Sequence, residues 1–208
     1  MLQLFTPHEV VPTLFSLLAT DLTRTMAAAP QSRHRLEPWR RSLESAVKSG
    51  ELYSRGVPLT PRQRCNDIGQ RYPGPVVAVV GANTYSSGDL FAAGFVDNRV
   101  GTLVSVDEAT GAGGANVWYP DDLYRALEGT PAALPPLPRG VSFTMAFRRA
   151  TRSGWVAETS IEDVGVAGHI RHRLTRRDLT DGNRDLLAFC GGLLASECFT
   201  DLRVHPGE

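Results

Sequence analysis

The sequence predicts an α/β fold, and three observations carry that expectation. Residues Val76–Val80 are an unbroken run of valine and alanine bounded by Pro75 and Gly81, which suits a strand covered on both faces. A helical spacing follows, with Leu90, Phe91, Phe95 and Val96 behind an acidic residue, Asp89, near the helix start. A second apolar run, Gly101–Val106, then completes a strand–helix–strand alternation. With 208 residues, 42% of them hydrophobic, the chain can bury a full core in one domain.

Taken in order, Met1 to about Gln70 is amphipathic or loop-like and reads as an insertion or cap segment. Its clearest helix is Leu36–Val47, where Leu36, Trp39, Leu43 and Val47 recur every three or four residues. From residue 71 the pattern becomes α/β: strand Val76–Val80, helix Ser87–Val96, strand Gly101–Val106, then a glycine-rich loop from Thr110 to Asn116. Asp121–Leu127 fits a short helix, and Pro131–Pro138 fits a loop of polyproline character. Val141–Ala150 alternates, with Val141, Phe143, Met145 and Phe147 on one face, which is a strand signature. Trp155–Ala157 is its expected hairpin partner across Arg152-Ser153-Gly154. Asn183–Phe199 closes the chain as a helix with a broad apolar face.

Charge narrows the function classes. The 22 basic and 22 acidic residues cancel, so nothing marks a nucleic-acid or membrane partner. Lys48 is the single lysine; the other basic residues are all arginine. Three cysteines, Cys65, Cys190 and Cys198, leave any pairing odd, and the last two sit too far apart along one helix to bridge. They read as buried thiols. No basic stretch followed by an apolar run marks a signal peptide, and no 18-residue apolar run marks a membrane span.

The chemistry concentrates at Asn83-Thr84-Tyr85-Ser86-Ser87-Gly88-Asp89, where the strand turns sharply into the helix. A serine at such a turn has an exposed hydroxyl, and the backbone N–H groups at the helix start can face a developing oxyanion. The competing reading makes Ser86 or Ser87 an ordinary helix cap. The glycine-rich loop fails as a nucleotide site, because Asn116 stands where the third glycine of a dinucleotide fingerprint belongs and no lysine is present for a phosphate loop. His169 and His172 lack partnering carboxylates or cysteines for a metal and read as surface residues. No metal or other cofactor is implied, and spacing selects no general base among the histidines, His8, His34 and His205 included.

Several segments in sequence order resemble the tail-specific, or carboxyl-terminal processing, serine peptidases: Tyr72-Pro73-Gly74-Pro75-Val76-Val77, the serine turn through Ala93, Asp97–Thr102, Thr110–Trp118 and Glu162-Asp163-Val164-Gly165-Val166. The resemblance spans roughly residues 72 to 194. It implies a fold similar to Clp protease and crotonase, a spiral of strand and helix units, with residues 71–208 as the C-terminal part of the catalytic domain and residues 1–70 as the insertion. It places the nucleophile on Ser86 after Thr84, one oxyanion donor on the amide of Ser87, and the family's acidic helix position on Asp89.

Within that family one branch uses a lysine from the glycine-rich loop, where this chain has none. The branch resembling tricorn core and chlamydial proteases uses a serine, an upstream histidine and a glutamate from a Glu-x-x-Gly-Val motif. Glu162 matches the glutamate, which would orient the histidine as the acid does in other triads. The family's glycine motif, which supplies a second oxyanion donor, and the triad histidine are both absent, and both would be expected N-terminal to Met1–Pro7. Gly168-His169 also replaces a Pro-Asp pair that members often carry. The resemblance thus implies a peptidase acting on a protein or peptide substrate, completed by an upstream segment, a partner chain or a homo-oligomer. The alternative is a catalytically inactive peptidase-fold module for binding and assembly.

Overall fold

The computed structural model describes residues 1–154 and 157–201. The chain runs β1 (Leu14–Ser16), α1 (Asp21–Ala28), α2 (Arg33–Ser49), α3 (Arg62–Cys65), β2 (Val77–Val80), α4 (Ser87–Asp97) and β3 (Thr102–Ser105). It continues through β4 (Ala115–Trp118), α5 (Pro120–Leu127), β5 (Met145–Thr151), β6 (Ile170–Arg171), α6 (Arg176–Thr180) and α7 (Arg184–Asp201). The α/β class holds, with two three-stranded sheets: β1-β5-β4, antiparallel throughout, and β2-β3-β6, parallel throughout.

The larger core joins the first seventy residues to the rest. Phe15, Leu17, Met26, Leu36, Trp39 and Leu43 pack in one cluster with Phe95, Leu103, Trp118, Leu127 and Ala150. The α2 stripe does this with Leu36, Trp39 and Leu43 as its periodicity predicts, and Ala46 rather than Val47 completes the buried set. Trp39 Nε1 donates to Phe15 O at 2.6 Å, fastening α2 to β1. A smaller cluster of Val104, Leu186 and Cys190 lays α7 on the parallel sheet.

Two strands differ from expectation. β2 is an edge strand, so the run expected to be covered on both faces leaves Val79 46% exposed. β5 begins at Met145, and Val141 and Phe143 stay exposed, because no neighbouring backbone pairs with them. Residues 155–156 of the expected hairpin partner lie outside the described residues. The returning chain bonds slightly later, with Arg152 N–H donating to Thr159 O at 2.8 Å and Ile161 N–H to Ala150 O at 3.2 Å. The partners of β5 are β1 and β4, and β4 starts within what reads in sequence as the end of the glycine-rich loop. α5 begins one residue early at Pro120, a residue whose missing N–H costs nothing in the first turn.

Helix α4 carries the site, and its far end is tied to distant segments. Asp97 is buried and accepts from Arg152 Nε at 3.0 and 3.1 Å and from Ser153 N–H at 3.1 Å. Asn98 exchanges hydrogen bonds with the backbone of Val11 at 2.7 and 3.2 Å.

Candidate active site

Between β2 and α4 the chain turns within residues 81–86. Thr84 N–H donates to Gly81 O at 2.8 Å, and Gly81 N–H donates to Thr84 Oγ1 at 3.1 Å. Asp107, just past β3, staples the turn by accepting from Ala82 N–H at 2.7 Å. Its carboxylate and Val106 leave no space at Gly81, where a Cβ would lie 2.8 Å from each.

Ser86 sits at the N-cap position with φ 57° and ψ −110°. A helix cap normally has extended backbone, and non-glycine residues occupy this region only where the surroundings force it, at a cost of about 1–3 kcal/mol. Its side chain is exposed and makes no capping hydrogen bond, so the position is that of a cap while the bonding is not. The amide of Ser87 opens the helix and has no intrahelical acceptor, whereas Gly88 N–H is used by Tyr85 O at 3.0 Å.

The glycine-rich loop is bound to this turn. Asp89, fully buried in the first turn of α4, accepts from Ala112 N–H at 3.0 Å and Gly113 N–H at 2.9 Å, and Gly111 N–H donates to Thr84 O at 2.8 Å. These three amides are the ones a phosphate would need, and all are spent inside the protein. The Tyr85 ring lies across the loop: a Cβ on Gly111 would come within 2.6 Å of it, and one on Gly113 within 2.4 Å. The glycines admit that ring.

The same loop receives Glu162. Asp163 N–H donates to Ala112 O at 3.1 Å, Gly114 lies against Ile161 and the Glu162 amide, and Thr110 and Val166 exchange bonds at 3.1 and 2.9 Å. One loop thus links the Ser86 turn to the Glu162 turn. The half-buried Glu162 carboxylate makes no hydrogen bond or ion pair among the described residues, and no bond connects it to Ser86. Tyr85, Asp107 and Thr110 are the supports that sequence reasoning missed; the two glycines that face the Tyr85 ring, Gly111 and Gly113, mark a close approach without naming what approaches.

An apolar cleft of about 410 Å³ begins at Ser87 and runs along Leu90, Phe91 and Gly94 of α4, with Val10 and Val11 opposite. Cys65 lies half-buried in its wall, which corrects the expectation of a buried thiol. Cys190 is buried, and burial raises its thiol's pKa; the Cys198 side chain lies outside the described residues.

The histidine pair serves the fold. His169 is exposed as expected, and its Nδ1 accepts from Leu103 N–H at 3.0 Å. His172 is not a surface residue: its side chain is 11% exposed, meets Asp178 Oδ2 at 2.8 Å through Nε2, and packs on Phe189. Burial pushes the Asp178 carboxyl up, but bonds from His172 and the amides of Thr175 and Leu186 outweigh it and hold the group well below the usual carboxylate range. Lys48 ends α2 beside Arg24, Glu44 and Gly129. Among the described residues no three or more His, Cys, Asp or Glu converge as a metal site, and no described helix is long and apolar enough to cross a membrane.

No family model matches the sequence, and no curated protein matches it significantly. Solved structures do match in fold. Mature CPAF, a chlamydial serine protease, in its complex with lactacystin superposes with a TM-score of 0.59 at 16% identity, covering 94% of this chain and 41% of that one. A second structure of mature CPAF gives 0.55 at 17% identity, over 85% and 36%. This chain therefore spans about two fifths of the CPAF length. Its fold is α/β and resembles that of a tail-specific-protease-like serine protease.

Proposed function

We propose that the chain is a serine-type peptidase domain that hydrolyses peptide bonds through an acyl-enzyme on Ser86. The observation that carries this reading is the strained, uncapped Ser86 at the start of α4, beside the unspent amide of Ser87. Strain retained at an exposed hydroxyl is a cost that positioning a nucleophile explains and capping does not.

In this mechanism a histidine takes the proton from Ser86 Oγ as the oxygen attacks the substrate carbonyl carbon. The Ser87 N–H donates to the resulting oxyanion. Collapse of the tetrahedral intermediate breaks the C–N bond, the imidazolium protonates the leaving amine, and water then releases the acyl group. In this reading Glu162 orients that histidine, the arrangement of the Ser/His/Glu branch that the Glu162–Val166 motif resembles. The open cleft beginning at Ser87 receives an apolar side chain of the peptide.

His169 and His172, committed to Leu103 and Asp178, are not that histidine, and a further segment or partner chain supplies it together with a second oxyanion donor. One missing donor alone lowers the rate about a hundredfold or more, so these 208 residues by themselves turn over slowly. That same commitment of both histidines favours the second reading, an inactive binding or assembly module on a peptidase fold.

Labelling with a fluorophosphonate probe, read by intact mass, separates the two. One adduct on the full chain, lost in Ser86→Ala and slowed in Glu162→Gln, supports the peptidase. Absence of any adduct, or an adduct that persists in Ser86→Ala, would leave only the binding module.

A further inference from the structure

Between α5 and β5 the chain carries Leu134-Pro135-Pro136-Leu137-Pro138-Arg139, a run outside both core clusters and the Ser86 turn. Each proline fixes its own φ, and each residue ahead of a proline is turned away from helix, so Leu134, Pro135 and Leu137 are held extended by sequence alone. Leu137 has φ −67° and ψ 141°, the polyproline II conformation. The run stops after Pro138, where Arg139 and Gly140 take φ 55° and 68° and Val141 N–H donates to Pro138 O at 3.2 Å.

The segment is fixed at intervals and open along its outer side. Ala132 packs on the larger core, Ala133 N–H donates to Thr130 O at 3.1 Å, and Leu137 N–H donates to the Tyr124 hydroxyl of α5 at 2.9 Å. A polyproline II helix repeats about every three residues, so Pro135 and Pro138 share one ridge while Leu134 and Leu137 share another. Leu137 is half-buried, whereas Pro135, Pro136 and Pro138 are exposed, and the proline ridge therefore faces solvent. The carbonyls of residues 134–137 accept no hydrogen bond among the described residues, and the exposed Arg139 guanidinium makes no hydrogen bond or ion pair among them.

We propose that residues 134–139 are a docking segment for a partner protein whose groove is lined by paired aromatic side chains with an acidic residue beside it. Pro135 and Pro138 insert between the aromatic faces, groove indole or phenol groups donate to the open carbonyls, and the acidic residue meets Arg139. A flat apolar surface suits the segment less, because it would bury those carbonyls without a donor. Being ordered in advance, the segment loses little conformational freedom on binding. Docking here is independent of the chemistry at Ser86.

The test titrates the full unlabelled chain into two ¹⁵N-labelled recognition modules, a WW domain and an SH3 domain, and follows the indole N–H of each groove by NMR. The expected result is a saturable shift in at least one module. Replacing both exposed prolines, Pro135→Ala with Pro138→Ala, should weaken it about tenfold or more, as loss of the anchoring contacts implies, while the chain keeps its melting temperature. Arg139→Glu, which leaves the prolines in place, should weaken the same binding most at low ionic strength. No saturable shift in either module, or equal affinity in the double proline variant, overturns the proposal.

Discussion

At Ser86 the backbone itself offers a test that does not depend on activity. A glycine accepts φ 57° and ψ −110° without cost, whereas alanine keeps the strain and removes only the hydroxyl. Ser86→Gly is therefore expected to be more stable than Ser86→Ala by about 1 kcal/mol, the relief of strain less the added freedom of the unfolded chain. Denaturant midpoints of the two variants decide it, and equal midpoints would mean that the turn is relaxed. His172 shows the limit of local reading at this scale. A histidine six residues before an aspartate has no periodic signature, so its bond to Asp178 is invisible until the turn before α6 brings the two together.

Among the elements, the glycine-rich loop has its sequence set by what it touches. The atoms nearest a methyl group on Gly113 all belong to the Tyr85 ring, while one on Gly111 also meets the carbonyl of Ala82, 2.7 Å away in the backbone. Gly111→Ala should then cost about 2–3 kcal/mol, in the range of overpacked cores, and Gly113→Ala less, because exposed Tyr85 can swing aside. Adding Tyr85→Ala should rescue Gly113→Ala and leave Gly111→Ala impaired. Rescue of both, in a double-mutant comparison of melting temperatures, would contradict the contact with Ala82. The loop's strand-to-helix setting was legible because glycine and serine punctuate two regular periods. Its partner across the turn was not, since nothing in Tyr85 itself says which backbone it will cover.

For the molecule as a whole, the long helices and the β2–α4–β3 order were legible because their apolar spacing is sustained. β1 and β6 were not: three and two residues carry no period, and β1 finds β5 far along the chain through nonlocal pairing. The last helix is fastened by Asp178, whose carboxyl accepts from Leu186 N–H at the start of α7. Because the folded group is held below its ordinary range, the unfolded chain binds its proton more readily, so this contribution is complete above about pH 4 and disappears as the pH falls. The stability gap between the wild type and Asp178→Asn should accordingly shrink on acidification below about pH 4. A gap that stays constant there, in urea unfolding across that range, would rule the carboxylate out as the fastening.

The anchoring of α4 bears on how the serine is aimed. Eleven residues make a rod about 16 Å long, held at Asp97 and Asn98 by Arg152, Ser153 and Val11 and in its first turn by the amides of Ala112 and Gly113 on Asp89. A rod pinned at both ends resists tilt, and a misplacement of about 1 Å is on the scale at which about a hundredfold in rate is lost. Sequence drift around Arg152 removes one of the two pins, and can therefore detune the hydroxyl from a full helix length away.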